Sequence, residues 1–223
     1  MSDSCPDTTG HAALMDDIYR YQRHFYDVSR KYLLLGRDQL IGLMNVQPGD
    51  QVLEAGCGTG RNLLALARRH PRARLFGLDL CGEMLCTARA KLKSTGAANI
   101  EMVQCGAESY HYRDTFGLER PFDAIFFSYS LSMIPPWRQA VDTAIANLKP
   151  GGNLYVVDFW DQGGYPEAAR AAIQWWLSLF HVKHEPALIE YLEELSRQGK
   201  GRLTLHSIKR RYAYLAELAD VHP

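Results

Sequence analysis

The sequence predicts an α/β fold: a doubly wound, seven-stranded sheet, mostly parallel, with a C-terminal antiparallel hairpin. Three observations carry this. Strand-like and helix-like patterns alternate from Gln51 to Phe159, which puts crossover helices on both faces of a parallel sheet. The run Val52-Leu53-Glu54-Ala55 enters Gly56, Gly58 and Gly60 and then at once a helical pattern. Such a turn places a nucleotide-like ligand at the carboxyl end of the first strand. Near the C-terminus, two alternating apolar–polar segments flank a short basic turn, which reads as an antiparallel strand pair.

Residues 1–14 read as a disordered tail and residues 15–223 as one domain. An N-terminal helical segment (15–45) is expected to form a lid. It shows apolar residues three or four apart (Ile18, Tyr21, Phe25, Val28, Tyr32) and is interrupted at Gly36. Pro48-Gly49-Asp50 is a turn. The spacing then predicts strand Gln51–Ala55, helix Asn62–Arg69, strand Arg74–Leu78, helix Gly82–Leu92 and strand Ile100–Gln104. Strand Phe122–Phe127 follows the turn at Arg120-Pro121, and helix Trp137–Asn147 ends at Lys149-Pro150-Gly151-Gly152 before strand Asn153–Phe159. A helical insertion (165–198) contains Pro166–Phe180 and Pro186–Arg197. Gly201–Ile208 and Arg211–Ala219 form the closing hairpin about Lys209-Arg210.

Composition narrows the function. With 25 basic and 25 acidic side chains the formal net charge is zero, so a broad nucleic-acid-binding face is not expected. The five cysteines (Cys5, Cys57, Cys81, Cys86, Cys105) form no C-x-x-C pair, so neither a metal site nor a disulfide framework is expected, and a reducing cytoplasm fits them. The polar first residues lack a signal-peptide profile, and no apolar run approaches the roughly 20 residues of a membrane span. Membrane contact is therefore expected to be peripheral, at the inner face. The oligomeric state is left open.

The glycine spacing separates two cofactor classes. Dinucleotide folds use G-x-G-x-x-G, whereas here the pattern is E-x-G-x-G-x-G, with the acid before the turn and the third glycine one residue early. Gly56, Gly58 and Gly60 permit close backbone approach. Asp79 ends the second strand nineteen residues after Gly60, where a carboxylate can accept both ribose hydroxyls. A helix N-cap is the plainer role for it. Leu80 and Met84 are placed to flank an adenine. After the third strand come Gly106, Ala107 and Glu108, and after the fourth the loop Ser128–Pro135, which borders the reacting methyl.

These motifs resemble those of class I S-adenosylmethionine-dependent methyltransferases, which share a Rossmann-like sheet with a reversed final strand pair. The resemblance implies S-adenosyl-L-methionine as cofactor, with Glu54, Gly56, Cys57, Gly58 and Gly60 around its amino-acid part. Family members often carry an Asp where this chain has Gly106, which leaves the adenine contact to the Ala107 backbone or to Glu108. Ser128 or Tyr129 is expected to touch ligand. Tyr19–Asp27 and Arg30–Asp38, with Glu54–Gly60, Ser128–Pro135 and Arg210–Leu215, further resemble bacterial N-methyltransferases of betaine-lipid synthesis. Those enzymes trimethylate the amino group of diacylglyceryl-homoserine.

That resemblance implies a lipid head-group amine as acceptor. Arginine forks suit its carboxylate, and aromatic faces suit a growing quaternary ammonium. Tyr32 and Arg37 are the expected grips for the cofactor carboxylate or the acceptor. Tyr129, Ser128 and His24 are the catalytic candidates, with Tyr129, His24 and the pair His181/His184 considered for proton handling. Trp175-Trp176-Leu177 with Leu179 and Phe180 would rest at a lipid interface. The alternative is the same fold acting on another small molecule or a quinone ring carbon. A dinucleotide oxidoreductase is disfavoured by the glycine spacing, and a noncatalytic nucleoside-binding protein by the intact glycines with Asp79.

Overall fold

The computed structural model describes residues 34–178 and 185–222. Seven strands form one sheet in the order β3-β2-β1-β4-β5-β7-β6. They are β1 (Gln51–Ala55), β2 (Arg74–Asp79), β3 (Ile100–Gln104), β4 (Phe122–Ser128), β5 (Leu148–Phe159), β6 (Arg202–Ile208) and β7 (Ala213–Val221). The first five are parallel, and β7 runs antiparallel to both β5 and β6. The helices are α1 (Arg37–Leu43), α2 (Arg61–Arg69), α3 (Gly82–Thr95), α4 (Tyr112–Phe116), α5 (Trp137–Ala146), α6 (Glu167–Ser178) and α7 (Pro186–Arg197).

Strand β1 is buried along its whole length because both its edges and both its faces are covered. Alternation along the strands splits the core in two. On one face Leu53, Ile125, Phe127, Leu154 and Val156 pack against α5 and α7. On the other Val52, Phe126, Tyr155 and Val157 pack against α1, α2 and α3. Burial of this apolar surface, at about 25 cal/mol per Å², is the main force holding the layers together. Because β1 pairs with β2 on one side and β4 on the other, the strand order reverses there. A crevice opens beyond the carboxyl ends of these strands.

Most elements lie within a few residues of expectation, and two features differ more. Strand β5 begins at Leu148, not Asn153, since Leu148 pairs with Phe122 and the Gly152 region is taken up as an irregularity in the ladder. Helix α4 is a single short segment too brief to show a period. Residues 15–33 of the expected N-terminal helix, and Leu179, Phe180, His181 and His184, lie outside the described residues.

At the sheet edge opposite the crevice, Asp123 joins three strands. Its carboxylate accepts from Gln51 N at 2.7 Å and is paired with Arg120 at 2.6 Å and Lys149 at 2.7 Å. Burial pushes its carboxyl up, but the bonds from Gln51, Lys149 and Arg120 outweigh that and hold it below the ordinary range. A depressed carboxyl contributes stability at pH values above its unfolded value, and loses it as pH falls through the folded one. Asp123→Asn is therefore expected to cost about 1–3 kcal/mol at pH 7, with the gap closing in strong acid. Urea unfolding of both proteins across pH checks this, and an unchanged gap in acid would refute it.

Candidate active site

The glycine turn is built by backbone bonds. Gly56 N and Cys57 N both donate to Leu78 O, at 2.8 and 2.9 Å, which clamps the turn onto β2. Gly56, Gly58 and Gly60 all have positive φ. Below the turn, Asn62 Nδ2 donates to Glu54 Oε1 at 2.7 Å, so the buried acid braces the start of α2. Asp79 holds two segments at once. Its Oδ2 accepts from Gly58 N at 2.7 Å and its Oδ1 from Cys81 N at 2.9 Å, just before α3.

A cavity of about 220 Å³ lies above these groups. Nine of the expected site residues line it: Gly56, Gly58, Asp79, Leu80, Met84, Gly106, Ala107, Glu108 and Tyr129. Sequence reasoning missed the apolar wall residues Leu78, Cys105 and Pro136 and took Ser130–Pro135 only as a bordering loop. Apolar and small residues in such places look like core, and nothing in their pattern marks them out. Gly106 leaves room that the Glu108 carboxylate fills, since a side chain at 106 would collide with it.

Five expected residues do not line the cavity. The Cys57 side chain packs into the core against Gly77, and burial, with Asp79 and Glu54 adding, pushes its thiol well up, so it stays neutral. Gly60 starts α2 with φ 72, and a Cβ there would meet Met102 and Ala88, so its role is packing. Glu54 sits below the turn as described. Arg37 is buried, and its Nε donates to Leu34 O at 3.2 Å. The Ser128 hydroxyl is buried and has no hydrogen-bond partner among the described residues. His24 and Tyr32 lie outside the described residues.

Tyr129 has φ 57, a strained conformation for a residue with a bulky side chain. Three contacts hold it. Its N–H donates to Val157 O at 2.8 Å, its ring meets Phe159 edge-on at 4.6 Å, and its hydroxyl donates to Leu35 O at 2.5 Å. Burial, with Asp158 adding, pushes its phenol well up, so it keeps its proton at neutral pH and acts as a donor rather than a base. The Ser130 hydroxyl donates to Ala55 O at 2.9 Å and ties this loop to the end of β1. No group of three or more metal-ligating side chains occurs among the described residues.

Residues 52–152 match the family model of a methyltransferase domain. Over these residues the chain carries a methyltransferase domain. Demethylmenaquinone methyltransferase of Listeria monocytogenes serotype 4b is 27% identical over 190 residues, covering 83% of this chain and 78% of its own. The enzyme of the same name from Geobacillus kaustophilus is 26% identical over 145 residues, with coverages of 65% and 56%. Among solved structures, an S-adenosylmethionine-dependent methyltransferase from Aquifex aeolicus aligns with TM-score 0.59 and 18% identity, over 92% of this chain and 97% of its own. Phosphoethanolamine N-methyltransferase 2 of Haemonchus contortus aligns with TM-score 0.73 and 13% identity, over 97% of this chain and 62% of its own.

The methyltransferase's cofactor is S-adenosyl-L-methionine, and the cavity suits it. An open glycine turn, a carboxylate at the end of β2 and an apolar slot between Leu80, Met84 and Ala107 converge there. When bound, that cofactor supplies an activated methyl group on a cationic sulfur. It carries no phosphate, which agrees with a turn lined by a carboxylate rather than by basic side chains.

Proposed function

We propose that this methyltransferase transfers methyl groups to the amine of a lipid head group, with diacylglyceryl-homoserine as acceptor and a trimethylated betaine lipid as product. In this reading Asp79 takes the ribose hydroxyls, Leu80 and Met84 flank the adenine, and Ala107 or Glu108 meets its amino group. Tyr129 carries the reading. It sets an aromatic ring into the cavity wall, at the end of β4, with Phe159 and then Tyr212 behind it at 4.6 and 5.9 Å. Aromatic rings attract an ammonium that gains methyl groups. The motifs Tyr19–Asp27 and Arg30–Asp38 support the same acceptor.

A second reading has its own observation. The relatives matched over most of the chain are named demethylmenaquinone methyltransferases, which favours a quinone ring carbon. Both acceptors are lipid-borne. Peripheral contact with a membrane suits both, because Trp175 on α6 is 66% exposed and the exposed Lys209-Arg210 turn lies at the same end of the sheet as the cavity. Among the described residues no helix is long and apolar enough to cross a membrane.

Methyl transfer is an in-line displacement, and the residues around it act by positioning and by excluding water. A radiolabel assay offering both lipids separates the readings. Label in the homoserine lipid and none in demethylmenaquinone is the expected result, and the reverse overturns the amine reading.

A further inference from the structure

Asp158 is the last residue but one of β5, next to Phe159 of Tyr129's ring stack, and is 2% exposed. Its Oδ2 accepts from Ser132 N at 3.0 Å, and its Oδ1 from Phe159 N at 2.8 Å. Ser132 belongs to the 3-10 turn Leu131–Met133, whose Met133 lines the cavity beside Tyr129 and Ser130. The cross-strand neighbour of Asp158 is Tyr214 on β7, whose buried hydroxyl has no hydrogen-bond partner among the described residues, while the Ser132 hydroxyl also faces the Asp158 carboxylate. None of the ion pairs among the described residues involves Asp158. The titratable groups facing it are the phenols of Tyr129 and Tyr214; among the described residues no Lys or Arg acts on it directly, and the buried Arg37 acts on Tyr129. An uncompensated carboxyl so deeply buried is costly, and such groups concentrate at functional sites.

We propose that Asp158 is a positioning residue that makes the site selective for a cationic acceptor. It fixes the Leu131–Met133 wall through the Ser132 N–H and holds a negative charge behind the acceptor nitrogen. The inference rests on the amine reading above. During transfer the amine lone pair forms the N–C bond, and the C–S bond breaks with its electron pair passing to sulfur. Positive charge thereby moves from sulfur to nitrogen. After the first two transfers the new ammonium releases a proton to solvent, and after the third it has none to release. A fixed carboxylate in a low-dielectric wall favours that nitrogen charge. It opposes ring-carbon methylation, where the nucleophile is an electron-rich, anionic ring. Burial pushes the Asp158 carboxyl up to about 6, with the Ser132 and Phe159 backbone N–H bonds and the Ser132 hydroxyl resisting, so the charge is present above that value and lost below it.

Calorimetry tests this on the full chain loaded with S-adenosylhomocysteine, using N,N,N-trimethylhomoserine as titrant because its own charge is constant between pH 5 and 8. Asp158→Asn is expected to bind it about tenfold more weakly at pH 8, while S-adenosylhomocysteine affinity stays near wild type. Wild type is expected to lose a similar factor from pH 8 to pH 5, and the variant none. Asp158→Glu, which keeps the charge, is expected to retain the wild-type pH dependence, and it decides the matter if Asp158→Asn does not fold. Equal affinities of wild type and Asp158→Asn at pH 8, or a pH dependence missing from Asp158→Glu, overturns the role of Asp158 and leaves the amine reading standing. A wild type that methylates demethylmenaquinone and neither binds this head group nor labels the lipid amine overturns both.

Discussion

Gly56→Ala is expected to destabilise the protein by roughly 2–5 kcal/mol and to abolish measurable S-adenosylhomocysteine binding. Two costs add. The residue sits at φ 80, which costs an L side chain about 1–2 kcal/mol. A Cβ built there would lie 2.5 Å from Ser130 Cβ and 3.0 Å from its Oγ. Ser130 cannot swing aside, because its hydroxyl is bonded to Ala55 O and its loop lines the cavity. Relief must come from moving β1 or the 129–131 segment, either of which deforms the site. Overpacking of this kind costs about 1–3 kcal/mol. Gly96→Ala is the control. Its φ is 68, but nothing lies within 4 Å of the added carbon, so it should show only the conformational cost of about 1–2 kcal/mol. Urea unfolding of the two variants separates the contact from the dihedral. Equal losses would show that the Ser130 contact is unimportant.

The same position shows what a sequence can and cannot reveal. Glycines in register with an acid and a strand end state a backbone requirement directly, because only a residue without Cβ meets it. The pattern that builds the sheet is equally plain, since β1 and β4 are mostly apolar and buried throughout and β6 alternates. The letters of the motif do not say which glycine faces ligand. Gly56 and Gly58 line the cavity, while Gly60 backs onto Met102 and Ala88. That difference depends on where α3 and β3 arrive, which is long-range information. Asp158 was illegible for a similar reason. It closes an apolar strand like any boundary residue. Its importance appears only when Ser132, 26 residues away, is brought against it.

Asp79→Asn is expected to weaken S-adenosylhomocysteine binding by about 10- to 100-fold, the worth of one or two hydrogen bonds to a charged group. Both oxygens already accept backbone N–H groups, from Gly58 and from Cys81. A carboxylate has about four acceptor positions, more than these two N–H groups use, so it can also take the ribose hydroxyls. An amide has one oxygen only. Whichever way it turns, its NH2 confronts one of the two backbone donors, and either the glycine turn or the entry to α3 is released. The variant therefore loses ligand bonds and preorganisation together. A ligand series divides these contributions. With a ribose-deoxygenated analogue of the cofactor product, wild type should lose most of its advantage over Asp79→Asn, because the hydroxyls that distinguish them are gone. The coupling between the two changes measures the ribose bonds themselves. If both proteins lose the same factor on removing the hydroxyls, Asp79 is only a brace for the turn, and the ribose is held elsewhere. If the coupling accounts for most of the loss, the carboxylate serves both the fold and the ligand, because the bonds that shape the turn also hold it at the cavity.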